Sequence, residues 1–347
     1  MEEGFEQFFF CTPNLKLSEV TSKAYSWSLE ETGIQFHDGI MCILYKFQTI
    51  IGLIGNCFLL YLYSFKIIIN QRIKLIDNIC INLVFSNILM MLFRGIPWAM
   101  EACNQKNFMN DIECKIIIYV QRVSRGTSLC TTCLLSVFQA ITITSCGPHW
   151  AKLKTSVLKS IVPACAFIWV LNLLIDLVVP LYVSAPKSIN NSQLTRNLGF
   201  CSIDIYAMRT LKIVIWKTFF DAVFVGLMSI TSGYMVLILY RHHWQVQHIH
   251  HTSFNPSASA EIRATKFILC LMSIFVCFYS LSSIFIIVMD NSKDAKQWVV
   301  NISAYFSLIY PTISPFVLMS SDSKNAINCN AFNRMKKSYK HSSKNRE

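Results

Sequence analysis

Charge is scarce in this sequence: Asp, Glu, Lys and Arg make up 14% of its 347 residues, where soluble domains carry about 25%. With 53% hydrophobic residues and a mean hydropathy of +0.43, the chain cannot clothe itself in polar surface, so lipid is its solvent. Glycines number only 11, and the 14 cysteines lie scattered through apolar runs rather than in loops, which excludes a small disulfide scaffold. Period-two alternation is missing, which excludes a membrane barrel and leaves helices to satisfy the spanning backbone. A nucleotide loop, an H-E-x-x-H string, paired intramembrane acids and a sensibly spaced Ser/His/Asp set are also missing, so nothing signals an enzyme or a cofactor. Duplication between two halves, the mark of many transporters, is not visible.

What is present is a series of seven apolar runs, each near the 20 residues or so that cross about 30 Å of hydrocarbon. They cover Ile40 to Phe65, Ile76 to Met100, Ile116 to Cys146, Val157 to Val183, Leu211 to Tyr240, Ala264 to Met289 and Trp298 to Met319. The fold class is therefore an all-α membrane protein, a seven-transmembrane helix bundle. The net charge of +12 resides in short loops and the tail, which fits membrane topology and not nucleic acid. Lys66, Arg72 and Lys74, then Lys152, Lys154 and Lys159, then Arg241, Arg263 and Lys266 mark cytoplasmic loops. An acidic head puts the amino terminus outside and the carboxyl terminus inside. Residues 1–39 read as an extracellular segment, 40–321 as the receptor-like bundle and 322–347 as a basic cytoplasmic tail. MEEGFEQFFF is too acidic and too short for a cleavable signal, so the first span is expected to serve as insertion signal.

Asn190 begins the sequon Asn190, Asn191, Ser192 in the loop after the fourth span, and glycosylation there requires the outer side. Cys114 and Cys201 both fall in the oxidising compartment and can bridge, with Cys103 the rival partner. Cys130 and Cys133 resemble a C-x-x-C pair, but in mid-membrane they read as small packing residues.

The stretch RVSRGTSLCTTCLLSVFQAIT sets Arg122 and Arg125 on one helical face, two and three turns below the outer end. A guanidinium at that depth must meet water, a carboxylate or a ligand. Arg94 in the second span raises the same requirement. Two readings follow: the arginines pair with Glu101, Asp176 or Asp221, or else Gln121, Arg122 and Arg125, with Arg94, Phe278 and Tyr279, line an electropositive pocket. Such a pocket suits a small amphipathic or acidic odour-like molecule, and sulfated steroids fit that chemistry. Gln121, standing where amine receptors place an aspartate, offers an ammonium no counter-ion, and the seventh span lacks the lysine a retinal Schiff base needs.

Seven helices with Gly55, Asn56 and Trp169 look like the G protein-coupled receptor architecture. The string around Arg122, the loop HHTSFNPSASAEIRATKFIL and the stretch YPTISPFVLMSSD resemble vomeronasal type 1 pheromone receptors, from about the first span to Asp322. Departures from the commoner receptor pattern agree. Phe138, Gln139 and Ala140 replace Asp-Arg-Tyr, Asn87 replaces the sodium-binding aspartate, Cys277, Phe278, Tyr279 and Ser280 replace Cys-Trp-x-Pro, and Ser314 and Pro315 replace Asn-Pro. The resemblance implies a plasma-membrane receptor for a pheromone or odorant, acting through an inhibitory-class heterotrimeric G protein whose signal opens a cation channel. The alternative is another seven-helix chemoreceptor, such as a bitter taste receptor, which the strings SVFQAITI and HHTSF disfavour. On the inner side, Phe138, Gln139, Lys152, Lys154, Arg241 and Arg263 are expected to face the G protein and anionic lipid. The histidines of the third inner loop (His242, His243, His248, His250, His251) read as a solvated loop rather than a zinc site. The tail from Lys336 to Ser343 suits lipid binding or phosphorylation, with disorder the default.

Overall fold

The computed structural model describes residues 14–69, 75–104, 109–144, 147–186, 195–204, 213–248, 256–291 and 297–322. Among them are seven helices long and apolar enough to cross a membrane. These are α1 (Asn14–Ile68), α2 (Leu75–Ala102), α3 (Asp111–Ile143), α4 (Gly147–Ile175), α5 (Ile213–His248), α6 (Pro256–Asn291) and α7 (Gln297–Asp322). The helical backbone of α1 starts well before its apolar part, Gly39–Ile68. The fourth span runs Lys159–Tyr182, close to its apolar run, but its regular α-helix stops at Ile175. Pro180 has no N–H to continue the ladder, so the chain leaves α4 through a 3₁₀ turn at Val179–Tyr182 and enters a strand at Val183.

Helix α3 is the axis of the bundle: 72% of its apolar window is buried against 17% for α5, and it packs on α2, α4, α5 and α6. The sequence makes this possible. Ser124, Gly126, Thr127, Ser128, Cys130, Thr131, Thr132, Cys133 and Ser136 are all buried, and small side chains let neighbouring backbones approach closely. Packing is inverted relative to a soluble domain. Ile43, Phe47, Ile54, Leu181 and Ile230 are each more than 60% exposed, whereas Asn56, Asn87, Asp176, Ser282 and Ser314 are wholly buried. In water such an apolar surface would aggregate; against acyl chains it is the matched solvent face.

Buried amides knit the helices together. Asn87 of α2 donates to Ser314 Oγ of α7 at 2.9 Å and accepts from Ser128 Oγ of α3 at 3.0 Å. Pro315 lacks the N–H that would pair with the Pro311 carbonyl, and Asn56 Nδ2 of α1 donates to that freed oxygen at 2.8 Å. Trp169 Nε1 of α4 donates to Asn82 Oδ1 at 3.0 Å. In α2, Pro97 cannot donate and its ring crowds the preceding turn. The helix widens to a π turn at Met91–Gly95, and Ile96 N–H reaches back to Met91 O.

One end of the bundle is closed by a small antiparallel sheet of β1 (Val183–Ser184), β2 (Thr195–Asn197) and β3 (Ser202–Asp204), in the order β1-β3-β2. Disulfide Cys114–Cys201 ties it to the head of α3, and Phe200 packs edge-on against Trp98 of α2 with centroids 5.5 Å apart. Cys103, read from sequence as a rival partner for Cys114, instead bonds Cys42 and staples α1 to α2. Asn190 and the tail beyond Asp322 lie outside the described residues.

Because Asn87 serves two hydroxyls at once, replacing it by Leu takes the acceptor from Ser128 Oγ and the donor from Ser314 Oγ in the apolar interior. Asn87→Leu should lower stability by roughly 1–2 kcal/mol, read as a lower thermal unfolding midpoint in detergent. An unchanged midpoint would show that the three-helix contact contributes nothing.

Candidate functional site

The two arginines of α3 end in different surroundings. Arg122 Nε donates to Asp176 Oδ1 at 2.9 Å, and Asp176 is completely buried at the carboxyl end of α4. A carboxylate there faces the unpaired carbonyl end of the helix, so it needs cations. Lys217 of α5 supplies the second, with Nζ 3.4 Å from Asp176 Oδ2 and 3.9 Å from Asp221 Oδ1. Both contacts are Coulombic without hydrogen-bond alignment, since all three atoms lack a hydrogen-bond partner. Gly126 makes room for this meeting, because a Cβ there would collide with the Asn172 amide and approach Lys217 Nζ.

Arg125 has no carboxylate within 4.0 Å among the described residues. Its guanidinium carbon lies 4.4 Å from the centre of the Tyr279 ring, and Nη2 donates to Ser283 Oγ at 3.1 Å. The Tyr279 hydroxyl in turn donates to Asp221 Oδ2 at 2.6 Å. The polar chain therefore runs Arg125, Tyr279, Asp221, Lys217, Asp176, Arg122, leaving α3 and returning to it through α6, α5 and α4. Arg125 and Tyr279 also line a narrow, mostly apolar cavity with Phe278, Phe306 and Tyr310, floored by Met90. Phe278 stacks on Phe306 at 6.1 Å, and Tyr310 meets Phe275 edge-on at 4.4 Å.

Of the residues expected from sequence to line a pocket, Arg125, Phe278 and Tyr279 share this cavity. Arg122 is engaged by Asp176; Gln121 is buried on α3, and Arg94 is buried in the widened turn of α2. Neither Gln121 nor Arg94 lines the cavity. Lys217 escapes the sequence reading, although a Lys and an Asp four apart in an apolar run were a visible signal. Ser283 and Phe306 give no local signal, because only the packing of α6 and α7 brings them to Arg125.

At the other end, Phe138 and Gln139 are buried and Arg241 is exposed, while the side chains of Lys152, Lys154 and Arg263 lie outside the described residues. Neutral hydroxyls join α3 to α5 where an ionic latch is missing. Ser136 pairs with Thr231, and Thr144 Oγ1 pairs with the Tyr234 hydroxyl at 3.0 Å.

Breaking the ionic chain at its buried carboxylate leaves two cations facing each other. Asp176→Asn should cost about 3–5 kcal/mol and strip folded protein from the cell surface, whereas adding Lys217→Met should restore part of it. Surface display of the single variant at the parental level would remove the chain as a stabilising element.

Known proteins share this pattern. The family model described as the vomeronasal organ pheromone receptor family matches residues 39–330. Vomeronasal type-1 receptor 4 of Homo sapiens is 38% identical over 277 residues, which is 79% of this chain and 92% of the relative. Vomeronasal type-1 receptor 3 of Pan troglodytes is 39% identical over 276 residues, 79% of this chain and 88% of that one. Olfactory receptor class A-like protein 1 of Danio rerio is 29% identical over 288 residues, covering 81% and 89%. A family match across most of the chain, resting on seven membrane-crossing helices, makes this protein a member of the vomeronasal type 1 receptors, multi-pass G protein-coupled pheromone receptors of the plasma membrane.

Proposed function

We propose that the receptor binds a small amphipathic odorant in the cavity between α3, α6 and α7, with Arg125 taking an acidic or strongly polar end of the ligand. The observation that carries this reading is Arg125 itself: a half-buried guanidinium on a cavity wall, held by a ring face and a hydroxyl but by no carboxylate among the described residues. Phe278 and Phe306 offer an apolar slot for the ligand body. Sulfated steroids carry both an acidic end and an apolar body. Tyr279 touches Arg125 with its ring and Asp221 with its hydroxyl, so an anion arriving at Arg125 competes with the ring and alters how α6 leans on α5. Arg122 in this reading fixes α3 against α4, and the expected roles of Gln121 and Arg94 at the ligand give way to the set around Arg125.

The amino terminus is taken to lie outside. Both disulfides gather at the closed end of the bundle, which suits the oxidising side, and lysines and arginines concentrate at the other. An inhibitory-class G protein is the proposed partner at that basic face, with Arg241 exposed on α5. Nucleotide exchange on a co-expressed inhibitory α subunit, compared with a stimulatory one, tests the choice.

Charge-assisted hydrogen bonds contribute about 1.5–3 kcal/mol, so Arg125→Met should weaken an acidic agonist roughly 10- to 100-fold. Surface expression and the response to an uncharged analogue of similar shape should stay close to wild type. Equal potency of the acidic agonist on both receptors would refute the assignment.

A further inference from the structure

The ligand cavity leaves Arg94 unexplained. The residue is only 8% exposed, sits in the π turn of α2, and among the described residues has no carboxylate within 4.0 Å. Its Nε finds no acceptor. A guanidinium buried in hydrocarbon without an answering charge is strongly unfavourable.

Other unpartnered donors stand close by. Trp98 follows Arg94 by four residues, so the two share a face of α2, and the indole Nε1 is buried without an acceptor. Thr49 of α1 presses on the same turn: a Cβ at Gly95 would lie 2.8 Å from Thr49 Oγ1, and that hydroxyl also lacks a partner. Tyr45 completes the wall, stacked on Trp98 at 6.4 Å, with its hydroxyl committed to Asn301 O at 2.5 Å. One cationic and two neutral donors, with no carboxylate within 4.0 Å of Arg94 among the described residues, form the complement of an anion. The unpartnered Gln48 Oε1, next to Thr49 in the chain, calls for water rather than for an ion of the same sign.

We propose that Arg94, Trp98 and Thr49 hold a small inorganic anion such as chloride in a closed site between α1 and α2, separate from the ligand cavity. The ion answers Arg94, so it is a resident part of the receptor rather than a signal.

The test uses the full chain in lipid nanodiscs with no odorant present, and follows thermal unfolding as sodium chloride replaces sodium gluconate at constant ionic strength. Chloride should raise the midpoint by roughly 2–4 °C and saturate. Arg94→Met should abolish the rise, and Trp98→Phe, which keeps the ring and removes its N–H, should move half-saturation to higher chloride. Equal midpoints in the two salts, or an undiminished rise in Arg94→Met, overturns the proposal. Should Arg94→Met fail to fold, Arg94→Lys carries the test: a severalfold shift in half-saturation supports the site and an unchanged one overturns it. Stabilisation through Arg94 by an acidic odorant but not by chloride also overturns it, because the site then belongs to the ligand.

Discussion

A positive charge inside hydrocarbon has to be answered, and helix α3 brings two of them into the bundle within a single turn. The structure answers Arg122 with a buried carboxylate and Arg125 with an aromatic face. Both answers are drawn from other helices, so α3 becomes the member to which α4, α5 and α6 are joined. Lys217 lies between the two aspartates and lets them coexist about one helix apart, which two bare carboxylates in an apolar interior would not do. Apart from the Lys66–Asp77 pair, the described interior holds four cations, Arg94, Arg122, Arg125 and Lys217, against Asp176 and Asp221. An excess of two positive charges remains, and it lies at Arg125 and Arg94, the two with no carboxylate contact among the described residues.

Away from that chain the bundle is held by neutral polar contacts. The amides of Asn56, Asn82 and Asn87 reach across helices where lipid offers no competing hydrogen bonds, and two of the three serve oxygens or hydroxyls beside α7. Asn87 illustrates the trade: an aspartate in that place would need a cation, whereas the amide donates to one serine and accepts from another with no charge to neutralise. At the end away from the small sheet, hydroxyl pairs join α3 to α5, a softer connection than an arginine latch.

The seven spans were legible because hydrocarbon thickness leaves few ways to write a crossing segment, and hydropathy alone finds them. Their ends were less so. Pro180 stops α4 early, and the helical backbone of α1 starts well before its apolar run. Arg122, Arg125 and their carboxylate alternatives were readable as a demand for partners, since intramembrane charge is rare. Which partner each takes was not, because Asp176, Asp221 and Lys217 are brought together by the crossing of three helices, and sequence distance says nothing about that. Cys42 went unnoticed for the same reason: its match with Cys103 depends on how α1 and α2 meet beside the small sheet.

The widened turn of α2 changes what one rod can do. Each residue of an α-helix turns the next by about 100°, so a single extra residue between Met91 and Gly95 rotates everything beyond it by that amount. Met90, before the insertion, lines the cavity beside Arg125, while Gly95 and Trp98, at its end and beyond it, turn toward α1. One helix thereby gives one turn to that cavity and the next to α1, two faces that a regular helix would have set at a different angle.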